Sequence, residues 1–447
     1  MKTYCKERTM KRKMIVVSLI MMLWGTVLFA RSVDLQVSVS NPYLIADQRQ
    51  SVFLKVGLTG FELETSAERP PANVAIVLDR SGSMEGEKIV RAKEAAMLAV
   101  SMLEPRDIVS IITYSDTVSV LVPATRVSER GYINRRIESI FAGGSTALFA
   151  GVSKGADEVY KFLDKNKVNR VILLSDGLAN VGPDSPMALG NLGESLKRTG
   201  VSVSTIGLGL GYNEDLMVEL ARRSDGNHAF VENYRDLTRI FQYEFNDILS
   251  VVAQDVEIEI ICSEGITPLR LLGREAEIYG NKVYTTIGQL YSNQEKYVLI
   301  ELDVPPFRAG SRVDIASVRI NYNNLETKQT ESLASGTQVS FTRSRNEVEQ
   351  NKDKETLVEA VKQIATETSE QAIRLRDEGR VEEAQQLLEE NTEYLYQEAR
   401  ELESEELQGM GLMNEQDAEV IEDETDWSAN RKRMKSEAFD TQNQQNY

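Results

Sequence analysis

Three short segments of the 447-residue chain carry acidic and hydroxyl side chains in spacings that suit a bound cation. Asp79, Ser81 and Ser83 form the pattern D-x-S-x-S directly after an apolar run. Thr146 follows a pair of glycines, and Asp176 follows a second apolar run. All five side chains offer hard oxygen donors, which suit Mg²⁺, Mn²⁺ or Ca²⁺ rather than zinc or copper. The sequence therefore predicts a divalent-cation site made of two carboxylates and three hydroxyls.

Glycines in the same segments predict a tight approach of the backbone to this site. Gly82 separates the two serines, and Gly143 and Gly144 precede the segment that holds Thr146. Glycine permits the sharp turns that such loops need. If hydroxyls rather than carboxylates contact the ion directly, much of its charge stays uncompensated. The ion can then accept a carboxylate from another molecule, which is the chemistry of a metal-dependent adhesion site.

The elements that position these segments form an alternating pattern from residue 73 to residue 250. Short apolar runs predict strands at Val74–Leu78, Asp107–Tyr114, Val118–Leu121, Arg170–Leu174, Val201–Ile206 and His228–Val231. Between them, helices are predicted at Lys88–Leu103, Gly131–Phe141, Ala150–Leu163, Ser185–Thr199, Glu214–Arg223 and Arg235–Ile248. Apolar strands separated by helices indicate a mostly parallel α/β sheet covered on both faces. Ligands of such sheets gather at the carboxyl ends of the strands, where Asp79 and Asp176 stand.

The close pair Asp107–Tyr114 and Val118–Leu121 predicts a hairpin, and therefore one antiparallel strand at an edge of the sheet.

These motifs resemble the metal-ion-dependent adhesion site, or MIDAS, of von Willebrand factor A (vWA) domains. The resemblance covers about 180 residues, from Pro71 to Ser250, and includes D-x-S-x-S, Gly-Gly-Ser-Thr and Ser-Asp-Gly in order. It implies a Rossmann-like vWA fold, with Ser81, Ser83 and Thr146 coordinating the metal directly. It implies water-mediated contacts from Asp79 and Asp176 to Mg²⁺, Mn²⁺ or Ca²⁺.

Two further segments narrow the resemblance within this family. Leu173–Pro183 and Thr205–Asp215 are similar to those of bacterial exported vWA proteins of the inter-alpha-trypsin-inhibitor-heavy-chain-like and calcium-activated-channel-like types. These labels describe domain order and imply neither channel nor inhibitor activity.

The sequence outside residues 70–250 predicts three further parts. Period-two alternation at residues 31–69 and 251–345 predicts strands, and two isolated strands are marginal in water. We therefore expect both segments to form one β-sandwich, with the α/β domain inserted between its strands. Residues 350–405 keep helical spacing on either side of Gly379, which predicts a helical hairpin. The acidic and polar residues 406–447 are expected to be disordered.

Residues 1–30 predict export from the cytoplasm. A basic start precedes the uncharged, apolar run Met14–Ala30, which is the layout of a signal peptide. An uncleaved N-terminal membrane anchor is the alternative. Either interpretation places the remainder in the periplasm, at the cell surface or in the medium. After cleavage Cys262 would be the one remaining cysteine, which excludes an intramolecular disulfide and a cysteine-based zinc site.

Other polar residues near the predicted site are interpreted as structural. We expect Asp116 to serve a turn, Asp184 and Asp215 to be surface or capping residues, and His228, the one histidine of the chain, to open a strand. The glycines of residues 207–211 lack the lysine and hydroxyl spacing of a phosphate loop, so they predict a strand-to-helix turn.

The formal net charge of −18 argues against nucleic acid as a partner, because phosphates require basic side chains. Three functions remain. The first is a metal-dependent adhesion module without enzymatic activity, whose protein partner offers Asp or Glu to the metal. The second is a scaffold protein of the cell envelope with a vestigial metal site. The third is a metal-dependent hydrolase, for which the sequence offers few acid–base candidates.

Overall fold

The computed structural model describes residues 33–63 and 69–445. The predicted signal peptide or anchor at residues 1–30 lies outside the described residues. Within the described ranges, no helix is both long enough and apolar enough to cross a membrane.

A β-sandwich is built from segments on both sides of the α/β domain. Its strands are β1 (Asp34–Val39), β2 (Tyr43–Ile45), β3 (Gln50–Thr59), β10 (Val251–Cys262), β11 (Thr267–Leu272), β12 (Glu277–Tyr279), β13 (Lys282–Tyr291), β14 (Glu295–Val304), β15 (Arg312–Asn324) and β16 (Gln329–Thr342). One sheet has the order β1-β3-β14-β11, and the other has the order β12-β13-β10-β15-β16-β2. Strands β3 and β14 pair antiparallel from Thr59–Glu295 to Gln50–Val304. The N-terminal strands therefore find their partners beyond the inserted domain.

The inserted domain contains a six-stranded sheet. Its strands are β4 (Ala72–Asp79), β5 (Ile108–Tyr114), β6 (Val118–Arg126), β7 (Val168–Ser175), β8 (Ser202–Leu208) and β9 (His228–Val231). Their order is β6-β5-β4-β7-β8-β9. All neighbours run parallel except β5 and β6, which form the predicted antiparallel pair at an edge. This order places β4 and β7, which carry Asp79 and lead to Asp176, side by side in the centre of the sheet.

Six helices of the inserted domain cover both faces of this sheet. They are α1 (Glu87–Met102), α2 (Arg130–Glu138), α3 (Leu148–Tyr160), α4 (Pro186–Arg198), α5 (Glu214–Arg223) and α6 (Leu237–Ser250). Alternate side chains of β4 point to opposite faces, as strand geometry requires. Ile76 packs in a core with α1, α2 and α6, whereas Val77 packs in a core with α3, α4 and α5. The predicted α/β architecture with helices on both faces is confirmed.

A buried arginine connects the parallel sheet to the β-sandwich. Arg170 on β7 donates from Nη1 to Glu244 Oε1 of α6 at 2.7 Å, and from Nη2 to Tyr291 Oη of β13 at 3.2 Å. Its Nη2 also donates to Gln289 of the same strand. A buried charge is tolerated when it is paired and hydrogen-bonded, and this one links the two domains.

The C-terminal part of the described chain is helical throughout. After the short helix α7 (Arg345–Gln350), the hairpin is formed by α8 (Lys354–Asp377) and α9 (Val381–Leu402). Two further helices follow, α10 (Glu405–Val420) and α11 (Glu424–Asn443). The prediction that residues 406–447 are disordered was therefore wrong for the described residues up to 445.

Buried polar contacts explain why a segment of this composition folds. Asn414 of α10 is buried and donates to Leu388 O at 2.6 Å and to Thr392 Oγ1 at 2.8 Å, both on α9. Phe439 of α11 is fully buried against the inserted domain, with its ring centroid 5.8 Å from that of His228. Composition alone underestimated these helices because their packing depends on few apolar side chains and on specific hydrogen bonds.

Candidate cation site

Asp79 closes strand β4 and holds the loop that follows it. It is fully buried, and its Oδ1 accepts a hydrogen bond from the Ser81 amide at 2.8 Å. Its Oδ2 accepts from Ser175 Oγ, at the end of the neighbouring strand β7, at 2.9 Å. Burial raises the pKa of Asp79, while these hydrogen bonds oppose that shift. The carboxylate thus fixes the two strand ends relative to each other.

The two serines of D-x-S-x-S point to the same place. Ser81 Oγ and Ser83 Oγ lie 3.0 Å apart, and Ser83 Oγ donates to Asp176 Oδ1 at 2.7 Å. Ser81 is buried, whereas Ser83 is exposed. Ser83 is therefore on the solvent side of the cluster.

A second loop is clamped onto the first by backbone hydrogen bonds. The Gly143 amide donates to Arg80 O at 2.7 Å, and the Gly82 amide donates to Gly144 O at 2.9 Å. Gly143 and Gly144 have φ angles of 151° and 94°, in the region that favours glycine. A Cβ on Gly144 would lie 2.3 Å from Asp116 Oδ2, so the close approach needs glycine there.

Asp116, which was predicted to serve a turn, also orients this loop. Its Oδ1 accepts from the Ser145 amide at 3.0 Å, one residue before Thr146. Hydrogen bonds from Ser145 lower the pKa of Asp116. The carboxylate thereby orients the loop from the outside without joining the hydroxyl cluster.

The hydroxyl of Thr146 belongs to the cluster, and Gly177 lies next to both this hydroxyl and that of Ser83. A Cβ placed on Gly177 would lie 3.3 Å from Ser83 Oγ and 3.4 Å from Thr146 Oγ1. Both hydroxyls therefore border the same small space, which the absence of a side chain at Gly177 keeps open. The Thr146 amide donates to Asn180 Oδ1 at 2.8 Å, a contact that the sequence did not reveal.

The two carboxylate oxygens of Asp176 accept hydrogen bonds from two different side chains. Besides accepting from Ser83, it accepts from Lys88 Nζ at 2.6 Å through Oδ2. Its side chain is fully buried, while that of Lys88 is 29% exposed. Lys88 was not predicted as a site residue. The feature of the sequence that could have indicated it is its position in the first turn of α1, which follows the D-x-S-x-S loop in the chain.

Tyr114 lies beneath the cluster and supports the strand ends. This tyrosine of β5 is fully buried, and its hydroxyl donates to Leu174 O of β7 at 3.0 Å. Burial raises its pKa well above the ordinary value. It crosses below β4 and links the two strands that flank Asp79.

The donor set fits a hard divalent cation. The structure brings Asp79, Ser81, Ser83, Thr146 and Asp176 together at the carboxyl edge of the sheet, with Ser83 open to solvent. Within residues 33–63 and 69–445, no group of three or more His, Cys, Asp and Glu is placed to hold a metal. The cluster has two carboxylates and three hydroxyls, so an ion held there would keep part of its positive charge available to a ligand.

The other polar residues considered above lie outside the cluster. Asp184 is exposed, and Asp215 binds Arg431 and Lys435 of α11 at 2.9 and 2.5 Å. His228 begins β9, three strands away from β4, and its Nδ1 lies 2.8 Å from Thr205 Oγ1.

The glycine-rich turn of residues 207–211 lies close to the site. A Cβ on Gly211 would lie 2.7 Å from Asp176 O. This turn packs against the site from behind.

A comparison with protein families settles the identity of the inserted domain. The model of the von Willebrand factor type A domain matches residues 73–243. Residues 73–243 are a vWA domain. The match spans all three motif segments, and the vWA resemblance expected from the sequence is confirmed.

Similarity to characterised and uncharacterised proteins extends beyond this domain. The chain is 31% identical over 229 residues to the uncharacterized protein YfbK of Escherichia coli, covering 51% of this chain and 40% of that protein. It is 25% identical over 285 residues to the E3 ubiquitin-protein ligase WAV3 of Arabidopsis thaliana, covering 61% and 36%. It is 26% identical over 255 residues to inter-alpha-trypsin inhibitor heavy chain H3 of Homo sapiens, covering 54% and 26%. The chain thus spans less than half of each of these relatives.

A solved structure shares the fold over most of the chain. The von Willebrand factor type A protein from Catenulispora acidiphila has a TM-score of 0.66 at 14% identity, covering 85% of this chain and 90% of that one. At this identity the likeness describes the fold alone. vWA domains are in general interaction modules, often metal-dependent.

Proposed function

We propose that this protein is a metal-dependent protein-binding module whose vWA domain uses Mg²⁺, Mn²⁺ or Ca²⁺ to bind an Asp or Glu of a protein partner. The observation that carries the proposal is the convergence of three hydroxyls and two carboxylates on one edge of the sheet, with Ser83 facing solvent. Ser81, Ser83 and Thr146 would contact the metal directly, with Asp79 and Asp176 behind them. A partner carboxylate would then complete the coordination from the solvent side.

Binding rather than catalysis agrees with the surroundings of the cluster. His228 is fully buried and hydrogen-bonded three strands away from β4. Burial raises the pKa of the Cys262 thiol to about 11, so this buried cysteine is a poor nucleophile at neutral pH. A hydrolase would need a general acid for the leaving group, and neither of these side chains is placed to supply one.

We also propose that the protein acts outside the cytoplasm, on the basis of the signal-like residues 1–30. The β-sandwich would present the vWA domain, and the C-terminal helices would hold it in place through α11.

The test of the proposed function is calorimetric titration of the full chain with Mg²⁺, Mn²⁺ and Ca²⁺. We expect one bound ion in the wild type and none in Asp79→Ala or Thr146→Ala. Thr146→Ala is included because Asp79 also joins two strand ends, so its loss can disturb the fold. Asp184→Ala is the matched control, since this exposed carboxylate lies in a neighbouring loop outside the cluster.

A second titration adds a peptide that carries one Asp to the metal-loaded protein. Binding that disappears with EDTA supports the module. If neither the metal alone nor the metal with the peptide binds, the proposed function is wrong and the scaffold with a vestigial site takes its place.

A further inference from the structure

Several of the most exposed large apolar side chains in the described part of the chain lie in the inserted domain. Phe141 is 77% exposed, Met187 is 73% exposed and Leu178 is 61% exposed. Leu210 is 50% exposed. Folded proteins expose single apolar residues at many places, but a group around one site indicates a binding surface.

Three of these residues lie within two positions of residues that form or contact the cluster, on three different loops. Phe141 is two residues before Gly143, whose amide bonds to the D-x-S-x-S loop. Leu178 is two residues after Asp176, and Leu210 precedes Gly211, which packs against the Asp176 carbonyl.

All three loops precede helices at the carboxyl edge of the parallel sheet, where a ligand of the metal would arrive. We call Phe141, Leu178 and Leu210 the apolar rim.

Charged side chains at the same edge restrict what the apolar rim can accept. Glu85, Asp116 and Asp184 are exposed in the loops that surround the cluster. They would repel a partner segment that carries several carboxylates, because like charges at short distance disfavour binding. A single carboxylate of the partner would still be attracted, because it would contact the positively charged metal directly.

We propose that the apolar rim binds apolar side chains on either side of a single metal-binding Asp or Glu in the protein partner. This inference rests on the proposed function, because the carboxylate is held by the metal. The partner segment is therefore one acidic residue between residues such as Leu, Ile or Phe, and not an acidic run. Apolar contacts would supply affinity, and the metal would supply orientation.

The test uses four synthetic peptides of equal length and the full chain in Mg²⁺, with binding followed by fluorescence anisotropy. One peptide has Asp between leucines, the second has Asp between serines, the third has Asn between leucines, and the fourth is a run of Glu. We expect the leucine-flanked Asp peptide to bind about tenfold more tightly than the serine-flanked one, because burial of partly exposed leucines contributes on this scale. The Asn peptide and the Glu run should bind more weakly than either.

Rim variants identify the surface. The double variant Leu178→Ser/Leu210→Ser should lose the preference for leucine-flanked Asp while binding Mg²⁺ and the serine-flanked peptide as before. Leu269→Ser is the matched control, because Leu269 is 49% exposed on the β-sandwich. Unchanged Mg²⁺ affinity in the double variant shows that the fold and the metal site are intact.

The outcomes separate this inference from the proposed function. Equal binding of the two Asp peptides, or a preference that survives in the double variant, overturns the inference about the apolar rim alone. Absence of metal-dependent binding by either Asp peptide overturns the proposed function as well.

Discussion

Lys88 Nζ lies 2.6 Å from Asp176 Oδ2, so a fixed cation already neutralises one of the two carboxylates of the candidate metal site. The lysine comes from the first turn of α1 and reaches the carboxylate oxygen that Ser83 does not contact. A divalent ion bound at this cluster would share Asp176 with Lys88.

The first prediction follows from this shared carboxylate. Lys88→Met keeps an unbranched apolar stem and removes the charge, so the repulsion between the ammonium and the metal disappears. We expect Mg²⁺ affinity to rise about tenfold at low salt, with a smaller gain at high salt because part of the Lys88 side chain is exposed. Calorimetric titration measures it, and Lys88→Arg, which keeps the charge, should remain close to wild type.

A fall in affinity in Lys88→Met would contradict this prediction. It would mean that the lysine positions Asp176 for the metal and that this orientation outweighs the repulsion.

Gly177 provides the second prediction. In Gly177→Ala the new methyl would lie 3.3 Å from Ser83 Oγ, which would have to shift by a few tenths of an ångström, and 3.4 Å from Thr146 Oγ1, so it would occupy the space between the two hydroxyls. We expect Mg²⁺ affinity to fall about 10- to 100-fold, as is typical when groups that orient metal ligands are changed. Mg²⁺ tolerates distorted geometry less well than Ca²⁺, so the loss for Ca²⁺ should be smaller.

Gly409→Ala is the matched control for Gly177→Ala. A Cβ at Gly409, within helix α10, meets nothing within 4 Å. Its metal affinity should stay at the wild-type value, while thermal unfolding should shift slightly upward because alanine favours helix. Equal metal affinities of the two variants would show that the space between Ser83 and Thr146 does not hold the metal.

Local patterns explain how much of the site was predictable. D-x-S-x-S, Gly-Gly-Ser-Thr and Ser-Asp-Gly are short, and the rule that parallel strands end at one edge brings them together without further information. Lys88 and Asn180 were missed because their partners are decided by the three-dimensional path of the chain. Asp116 was interpreted as a turn residue, yet it also holds the loop that carries Thr146.

The C-terminal segment shows where composition failed. Residues 406–447 are polar, and a polar segment normally lacks the apolar surface to offset the entropy of folding. Here Arg431 and Lys432 of α11 both bind Glu214 at the start of α5, and Phe439 is fully buried. Such pairings depend on a surface contributed by another domain. The pattern within the segment could not show them.

Arg170 carries the third prediction, because it bridges the vWA domain and the β-sandwich. Arg170→Met leaves Glu244 buried without its cation. We expect a loss of about 3–5 kcal/mol in the free energy of unfolding, the usual cost of an uncompensated buried charge. Urea denaturation measures the loss.

The double variant Arg170→Met/Glu244→Gln should recover part of that stability, since it removes the buried negative charge together with the positive one. If the single variant loses less than about 1 kcal/mol, the ion pair does not contribute as inferred.

The fourth prediction concerns pH and His228. Thr205 Oγ1 donates to Met217 O, so it accepts from His228 Nδ1, and the buried Nε2 has no hydrogen-bond partner in the described part of the chain. Burial lowers the pKa of His228 from 6.5 to about 3. Between these values the unfolded chain binds a proton that the folded chain excludes. Stability therefore falls as pH drops below 6.5, by up to about 1.4 kcal/mol per pH unit.

His228→Asn isolates this contribution, because its amide can still donate to Thr205 but does not titrate. The free energy of unfolding of each protein is measured by urea denaturation from neutral pH down to about pH 5. We expect the wild type to lose stability relative to the variant over this range, while the carboxylates common to both cancel in the difference. A difference that stays constant with pH would show that the imidazole takes up a proton in the folded protein as readily as in the unfolded chain, and hence that burial does not lower its pKa.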